Sequence, residues 1–334
     1  MRILHIENTG GVASLLARGE MALGHQSDVL ETWRSYINYD HDFEHYYEGT
    51  YYHKLWMMKR TIELAKHYDI IHIHSGMART RVDYLWMKKL MGKPLVVHYH
   101  GSETRLGTGM HYRSIADAKV VATPDLLRWH PDATFIRNPM GTMEAEQPEG
   151  APCIVHLPTV RERKGTAYVL KAINGLRAEG RQFEFSLVEN VQHDRALKEI
   201  ARSSIVVDQV TTNVDGAPAG LLGMVSLEGM AMGKVVVNSM DSSAFGRYYP
   251  KGYPGVYADE TNVKEVLGSL LDDPEEVRRL GEKGRKWISE HLSPEVIARQ
   301  HVKIYERVLN EGVRQQVSSW TRPTCSGSNR GQSI

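Results

Sequence analysis

The chain has 334 residues and a formal net charge of +1, so its length suggests two domains of ordinary size and its balance makes no electrostatic case for nucleic acid. Its two cysteines, Cys153 and Cys325, stand far apart, which argues against a disulfide framework or a cysteine-held zinc site and fits a reducing compartment. The opening Met-Arg-Ile-Leu-His-Ile-Glu is charged too soon for a signal peptide, and no run of about 18 apolar residues follows. A cytoplasmic, soluble protein is expected, with peripheral membrane contact at the inner face left open.

In chain order, residues 2–6 read as a buried strand, residues 7–11 as a polar glycine turn and residues 12–23 as a helix stopped by Gly24. A strand near 27–30 follows. The aromatic, histidine-rich stretch 33–56 has no clear period and reads as loop and short helix. Helix 61–67, strand 69–74, helix 82–90 and strands 94–98, 119–122 and 134–136 complete a first alternating unit. Asn138-Pro139 and the polar run 141–152 read as the hinge. The alternation restarts with strand 153–157, helix 167–179, strand 183–188, helix 195–201, strand 205–208, helix 224–232 and strand 235–237. Asp273-Pro-Glu-Glu276 is a helix start, with an acidic cap, proline at the first position and Glu276 three residues on. Ser293-Pro294 opens a last helix to about residue 310, and 317–334 reads as disordered. Such alternation predicts α/β architecture with doubly wound parallel sheets. The expected divisions are 1–145, 146–293, a C-terminal helix over 294–312 packing back on the first unit, and a tail over 313–334.

Ligands of such sheets gather at the carboxyl ends of strands. Gly10 and Gly11 lie there, although the surrounding Thr9-Gly10-Gly11-Val12-Ala13-Ser14 lacks dinucleotide spacing. His72 and His74 share a strand face, as do His98 and His100, since strand side chains repeat every two residues. They could hold a metal, but in a chain with 16 histidines such pairs arise cheaply, and no metal is expected. His100 precedes Gly101-Ser-Glu103-Thr-Arg105 at a strand end. In the second unit, Arg161, Arg163 and Lys164 concentrate positive charge ahead of a helix N-terminus, which makes an anion site. The loop containing Val191 could wall a nucleobase. Gly220-Leu221-Leu222-Gly223 leads into a buried helix from Met224 that carries Glu228. Its free N–H groups favour an anion, and a buried carboxylate wants hydroxyl or N–H partners. A phosphate-bearing ligand with sugar hydroxyls satisfies both.

From residue 1 to about 310 these pieces, in this order, resemble glycosyltransferase family 4, with the GT-B fold of two facing Rossmann-like domains. The resemblance rests on Gly10-Gly11, strand 69–75, His100 to Arg105, Asn138-Pro139, Pro158 to Thr166 and Gly223 to Lys234. It implies that Arg161 and Lys164 hold a donor diphosphate, that Glu228 binds the donor ribose, and that N–H groups of 220–224 hold sugar or phosphate. His100 would lie beside the donor sugar, and His74, Glu103 and Arg105 on the acceptor side. One departure concerns the first of two family glutamates eight positions apart, which here is Gly220. Val207-Asp208-Gln209 resembles a subgroup with Asp-Gln ahead of the glycine loop, and Asp215 could substitute if the loop folds back. The expected activity is retaining transfer of a sugar from a nucleoside-diphosphate sugar to a hydroxyl acceptor, with no cofactor and no metal. A non-catalytic sugar-nucleotide binder or partner subunit is the second reading, and a sugar-nucleotide epimerase the third.

Overall fold

The computed structural model describes the chain except residues 34–38, 47–48, 75–84, 86, 90, 102–103, 105–114, 146–147, 149, 215–216, 219–221, 241–245 and 321–334; for 214, 217–218 and 312–320 it describes the backbone. The expected helix over 82–90 falls largely outside these residues, as do Glu103, Arg105, Asp215, Gly220 and Leu221.

The first sheet comprises β1 (Arg2–Ile6), β2 (Gln26–Glu31), β3 (Phe43–Glu44), β4 (Ile70–His74), β5 (Leu95–Tyr99), β6 (Ala118–Val121) and β7 (Thr134–Phe135). All seven run parallel in the order β3-β2-β1-β4-β5-β6-β7. Its strands are near-continuous apolar runs because helices cover both faces. In the second unit, β8 (Cys153–His156), β9 (Glu184–Leu187) and β10 (Ile205–Val207) are followed by a short antiparallel pair, β11 (Asn213–Val214) and β12 (Ala217–Pro218). With β13 (Val235–Asn238) and β14 (Val256–Tyr257) they form a five-stranded parallel sheet, ordered β14-β13-β10-β8-β9, from which the β11–β12 pair stands apart.

The helices are α1 (Val12–Ala22), α2 (Tyr51–Ala65), α3 (Arg161–Lys164), α4 (Thr166–Ala178), α5 (His193–Ala201), α6 (Met224–Ala231), α7 (Val263–Asp272), α8 (Pro274–His291) and α9 (Pro294–Trp320). Helix α2 begins ten residues before the expected Thr61. Thr50 caps it by accepting from the His53 N–H at 3.1 Å, and Met57, Thr61 and Ala65 form its buried stripe. The period was hidden because Tyr51, Tyr52, Leu55 and Trp56 are large and apolar yet exposed. Asp273 caps α8 as expected, accepting from the Glu276 N–H at 2.9 Å. Helix α9 runs ten residues past the expected end, so 317–320 is helical rather than disordered. Arg314, Gln315 and Gln316 are good helix formers and carry the helix past Gly312.

Two features bind the units together. The Met140 N–H donates to the Leu292 carbonyl at 2.7 Å and the Met143 N–H to the Ala231 carbonyl at 3.0 Å. A single apolar core includes Ile3, Ile70 and Val96 of the first sheet together with Leu227, Met230 and Trp287 of the second unit. Helix α9 packs on α1, with Ile297, Ala298 and Tyr305 buried. At their crossing Gly19 is so tight that a Cβ would lie 2.2 Å from the Pro294 carbonyl oxygen. Gly19→Val should therefore push α9 away and cost about 1–3 kcal/mol, seen as a lowered melting temperature. Unchanged unfolding would overturn this account of the crossing.

Candidate nucleotide-binding cleft

Helix α3 is a single turn at the carboxyl end of β8. Gly165, with φ 73°, ends it and opens α4; a Cβ there would meet Val210 Cγ2 at 2.7 Å. The Thr211 hydroxyl donates to the Arg163 carbonyl at 2.5 Å, and the Val210 N–H to the Lys164 carbonyl at 3.2 Å. This mesh fixes Lys164, whose Nζ donates to Oδ1 of the buried Asp208. Ser226 donates to the other Asp208 oxygen at 2.7 Å, and Asn238 to the Ser226 oxygen at 2.9 Å. Burial alone would raise the Asp208 carboxyl, but Lys164 and then Ser226 hold it below the ordinary carboxylate value.

Gly223 is the N-cap of α6, with no side-chain cap. A Cβ at 223 would lie 2.8 Å from Asp208 Oδ2 and 3.5 Å from Lys164 Nζ. Glycine is thus what lets the first turn of α6 come up against the lysine. Ammonium and N-terminal N–H groups converge there, as an anion requires. Arg161 contributes differently from expectation. It is half exposed and forked onto Glu189, with Nε donating to Oε1 at 2.8 Å.

A cavity of about 190 Å³ opens between the units, lined among others by Gly10, Gly11, Tyr39, His193, Met224 and Glu228. Gly10 and Gly11 both have positive φ, 65° and 72°. A Cβ on Gly10 would sit 3.4 Å from Met224 Cγ, and one on Gly11 2.8 Å from the Tyr39 ring. One turn into α6, buried Glu228 pairs with His193 Nε2 at 2.7 Å. The His193 and Tyr39 rings lie 4.6 Å apart between centroids. Val191 stands in the loop leading to His193. Leu222 adjoins the glycine cap, but its side chain is buried in the core.

The geometry therefore brings Gly10, Gly11, Met224 and Glu228 to one cleft, and Lys164 to Gly223 beside it. His74 requires correction. It was expected on the acceptor side, but it is wholly buried. Its strand face is covered by α1 and α9, so it touches other histidines instead of the cleft. A hydrogen-bond chain runs from Glu20 to His5 (2.9 Å), His74 (2.9 Å) and His100 (3.0 Å). His100 ends that chain as a neutral imidazole, pushed down to about 3 by burial and by His301.

Sequence reasoning missed Asp208 as the lysine's counter-ion, although an acid at the carboxyl end of a buried strand is a usable signal. His193 closes the strand-end loop 188–193 that was expected to wall a nucleobase and is the first residue of α5, but its pairing with Glu228 was not foreseen. A further perturbed group lies at the ends of β1 and β2, where burial and the neighbouring Glu7 push Glu31 up to about 8. Thr32 donates to Glu7, which adopts φ 70°.

No family model matches the chain. It is 29% identical over 167 residues to the MMP alpha-(1->4)-mannosyltransferase of Mycolicibacterium hassiacum, a match that covers 44% of this chain and only 40% of that protein. It is 25% identical over 305 residues to the uncharacterized glycosyltransferase YqgM of Bacillus subtilis, covering 76% of this chain and 82% of that one. The crystal structure of Anabaena Alr3699/HepE in complex with UDP and glucose superposes with a TM-score of 0.63 at 13% identity, over 92% of this chain and 100% of that one. Two parallel-sheet α/β units joined across a cleft, with these neighbours, define a GT-B fold. None of the described helices is long and apolar enough to cross a membrane.

Two predictions follow from the site's buried polar groups. Asp208→Asn strands the Lys164 ammonium and should cost about 3 kcal/mol in unfolding free energy; a variant as stable as wild type in denaturant titration would refute the pairing. His156, beneath the site, donates from Nδ1 to the Val207 carbonyl at 2.8 Å and accepts at Nε2 from Thr166 at 2.9 Å. Burial, against an opposing pull from the Val207 carbonyl, pushes it down to about 4, below the ~6.5 of an unfolded histidine. The unfolded chain thus binds the extra proton between these values, so His156 contributes its stability above pH ~6.5 and loses it as pH falls towards 4. The stability advantage of wild type over His156→Gln should shrink by about 3 kcal/mol across that window, with a constant advantage as the contrary result.

Proposed function

We propose that this chain is a retaining glycosyltransferase of the family 4 kind, moving a sugar from a nucleoside-diphosphate sugar to a hydroxyl acceptor in the inter-unit cleft. The observation that carries the reading is the Lys164 ammonium, seated by buried Asp208 at the uncapped N-terminus of α6. A diphosphate is the ligand such a pairing suits, and the glycosyltransferase names of both curated relatives support a sugar on it. The UDP and glucose held by the Anabaena protein support the same donor class.

In this reading Lys164 and the N–H groups of 223–224 take the diphosphate, and Arg161 joins them by releasing Glu189. Glu228, oriented by His193, accepts from the ribose hydroxyls. Gly10 and Gly11 leave room for the donor, while His100 stands beside its sugar. Bonding changes balance without a protein nucleophile. The acceptor oxygen bonds to the anomeric carbon on the face that the diphosphate leaves, and the acceptor proton passes to the departing phosphate oxygen. Charge builds on that phosphate, where fixed cations and N–H dipoles stabilise it without reorganising. They do the work for which other transferases use a metal, so no metal is assigned to the diphosphate.

Thermal shift against UDP, GDP and ADP and their sugar conjugates tests the donor site. A nucleotide-selective rise in melting temperature that vanishes in Lys164→Ala is expected, and no rise at millimolar concentration sinks the reading. For turnover, Lys164→Ala should lose about 2.7–4 kcal/mol of transition-state stabilisation, roughly 100- to 1,000-fold. The observation favouring the second reading, a non-catalytic binder, is Gly220 in place of the family's first glutamate. It predicts nucleotide binding with neither transfer nor donor hydrolysis.

A further inference from the structure

The register of the first sheet gathers histidines on one face. His5 pairs with His72 between β1 and β4, and His74 with His98 between β4 and β5. Strand periodicity puts all four on the face that α1 and α9 cover, where α9 adds His301 and Tyr305. Three triples from this group have ring nitrogens within 4.8 Å of one another: His5-His72-His74, His72-His98-His301 and His74-His98-His100.

Hydrogen bonding separates these triples. In the first and third, histidine nitrogens are spent on one another, through His5 to His74 and His74 to His100. Among the described residues, the buried imidazole nitrogens with no partner are His72 Nε2, both nitrogens of His98 and His301 Nε2. All belong to the middle triple, and all three of its side chains are fully buried.

The tautomers sharpen the point. The Tyr305 hydroxyl donates to Glu20 at 2.9 Å, so at its 2.7 Å contact His72 Nδ1 must be the donor. His301 Nδ1 donates to the Ile297 carbonyl at 3.2 Å. Neutral imidazole carries one proton, so Nε2 of His72 and Nε2 of His301 are bare lone pairs. Two buried lone pairs with no donor are expensive. His98 adds a third.

We propose that His72, His98 and His301 bind a first-row transition-metal ion, with zinc(II) the natural occupant, and that it fastens α9 to β4 and β5. Three buried, neutral imidazoles suit zinc, nickel or copper; magnesium and calcium need oxygen ligands, which the triple lacks. The Glu20-Tyr305-His72 chain and the Ile297 carbonyl are the outer partners that metal-bound histidines use to fix their rings. Zinc ligands at ~2.0–2.1 Å stand roughly 3.4 Å apart in a tetrahedral site, so the ring nitrogens, within 4.8 Å of one another here, draw closer when the ion binds. The fourth position is left to water. The ion lies under the sheet, away from Lys164, and its role is structural.

The test uses the full chain, unfolded in chelator and refolded with or without zinc(II) or cobalt(II). About one equivalent of tightly held metal per chain is expected, with the visible absorption of low-coordinate cobalt in the cobalt form and a higher melting temperature in the zinc form. His98→Phe and His301→Phe, which keep ring volume, should abolish uptake, with folding checked by circular dichroism. Tyr305→Phe should weaken zinc binding about 10- to 100-fold. Wild-type protein that refolds equally well without metal and retains none would overturn the proposal, leaving water as the donor to these nitrogens. Uptake undiminished in both histidine variants would overturn it as well, by placing the metal on surface histidines. None of these readouts depends on nucleotide binding, so the proposed transfer reaction stands or falls separately.

Discussion

Everything at the cleft depends on a buried carboxylate having a cation above it. Asp208 directly follows the wholly buried strand β10, where an ionised group survives only if it is paired and hydrogen-bonded. Lys164 pairs with one oxygen and Ser226, backed by Asn238, bonds the other. The same contact explains why α3 is one turn long, why Gly165 must reverse the chain and why position 223 has no side chain. Each brings the lysine, the strand end and the start of α6 within reach of one another. The pair also keeps the ammonium held in place before any ligand arrives, so binding need not order it.

The alternation of the two units was legible because parallel strands buried on both faces are short, largely apolar runs, as in Val235–Asn238 and Leu95–Tyr99. Helix α6 was legible for a related reason, since the glycine before it and the glycine after it bracket a segment of small and apolar residues. Helix α2 was not, because its exposed face is aromatic and sequence periodicity cannot tell an apolar residue facing water from one facing the core. Among the candidate residues, Gly10, Gly11 and Lys164 were singled out by their places at strand ends, and Gly223, Met224 and Glu228 by a glycine loop that opens a buried helix. Asp208 could be singled out in sequence, but its pairing with Lys164, like that of His193 with Glu228, joins residues 44 and 35 apart in the chain and shows only in the fold. Spacing along a sequence does not reveal pairs of that separation.

His74 shows the same limit from the other side. Its strand position was read correctly, and so was the face it shares with His72. Which face meets the cleft and which meets a helix depends on α9, an element more than 200 residues later. Along this face the three adjacent strands β1, β4 and β5 pass from an aliphatic residue to histidine: Ile3 to His5, Ile70 to His72, Val96 to His98. Polar groups so placed need the covering helix to supply Tyr305 and a backbone acceptor from Ile297.

The crossing at Gly19 makes the fold discontinuous in time as well as in sequence. The first sheet is complete at Phe135, but its histidine face stays open until α9 has been made. At a synthesis rate of about 5–20 residues per second, that leaves it uncovered for on the order of tens of seconds. During that interval Glu20 and His5 lack the tyrosine that joins them to His72. Until then the nascent first unit would carry an incomplete, uncovered face. Formation of α9 is therefore the step that seals the half of the molecule made first.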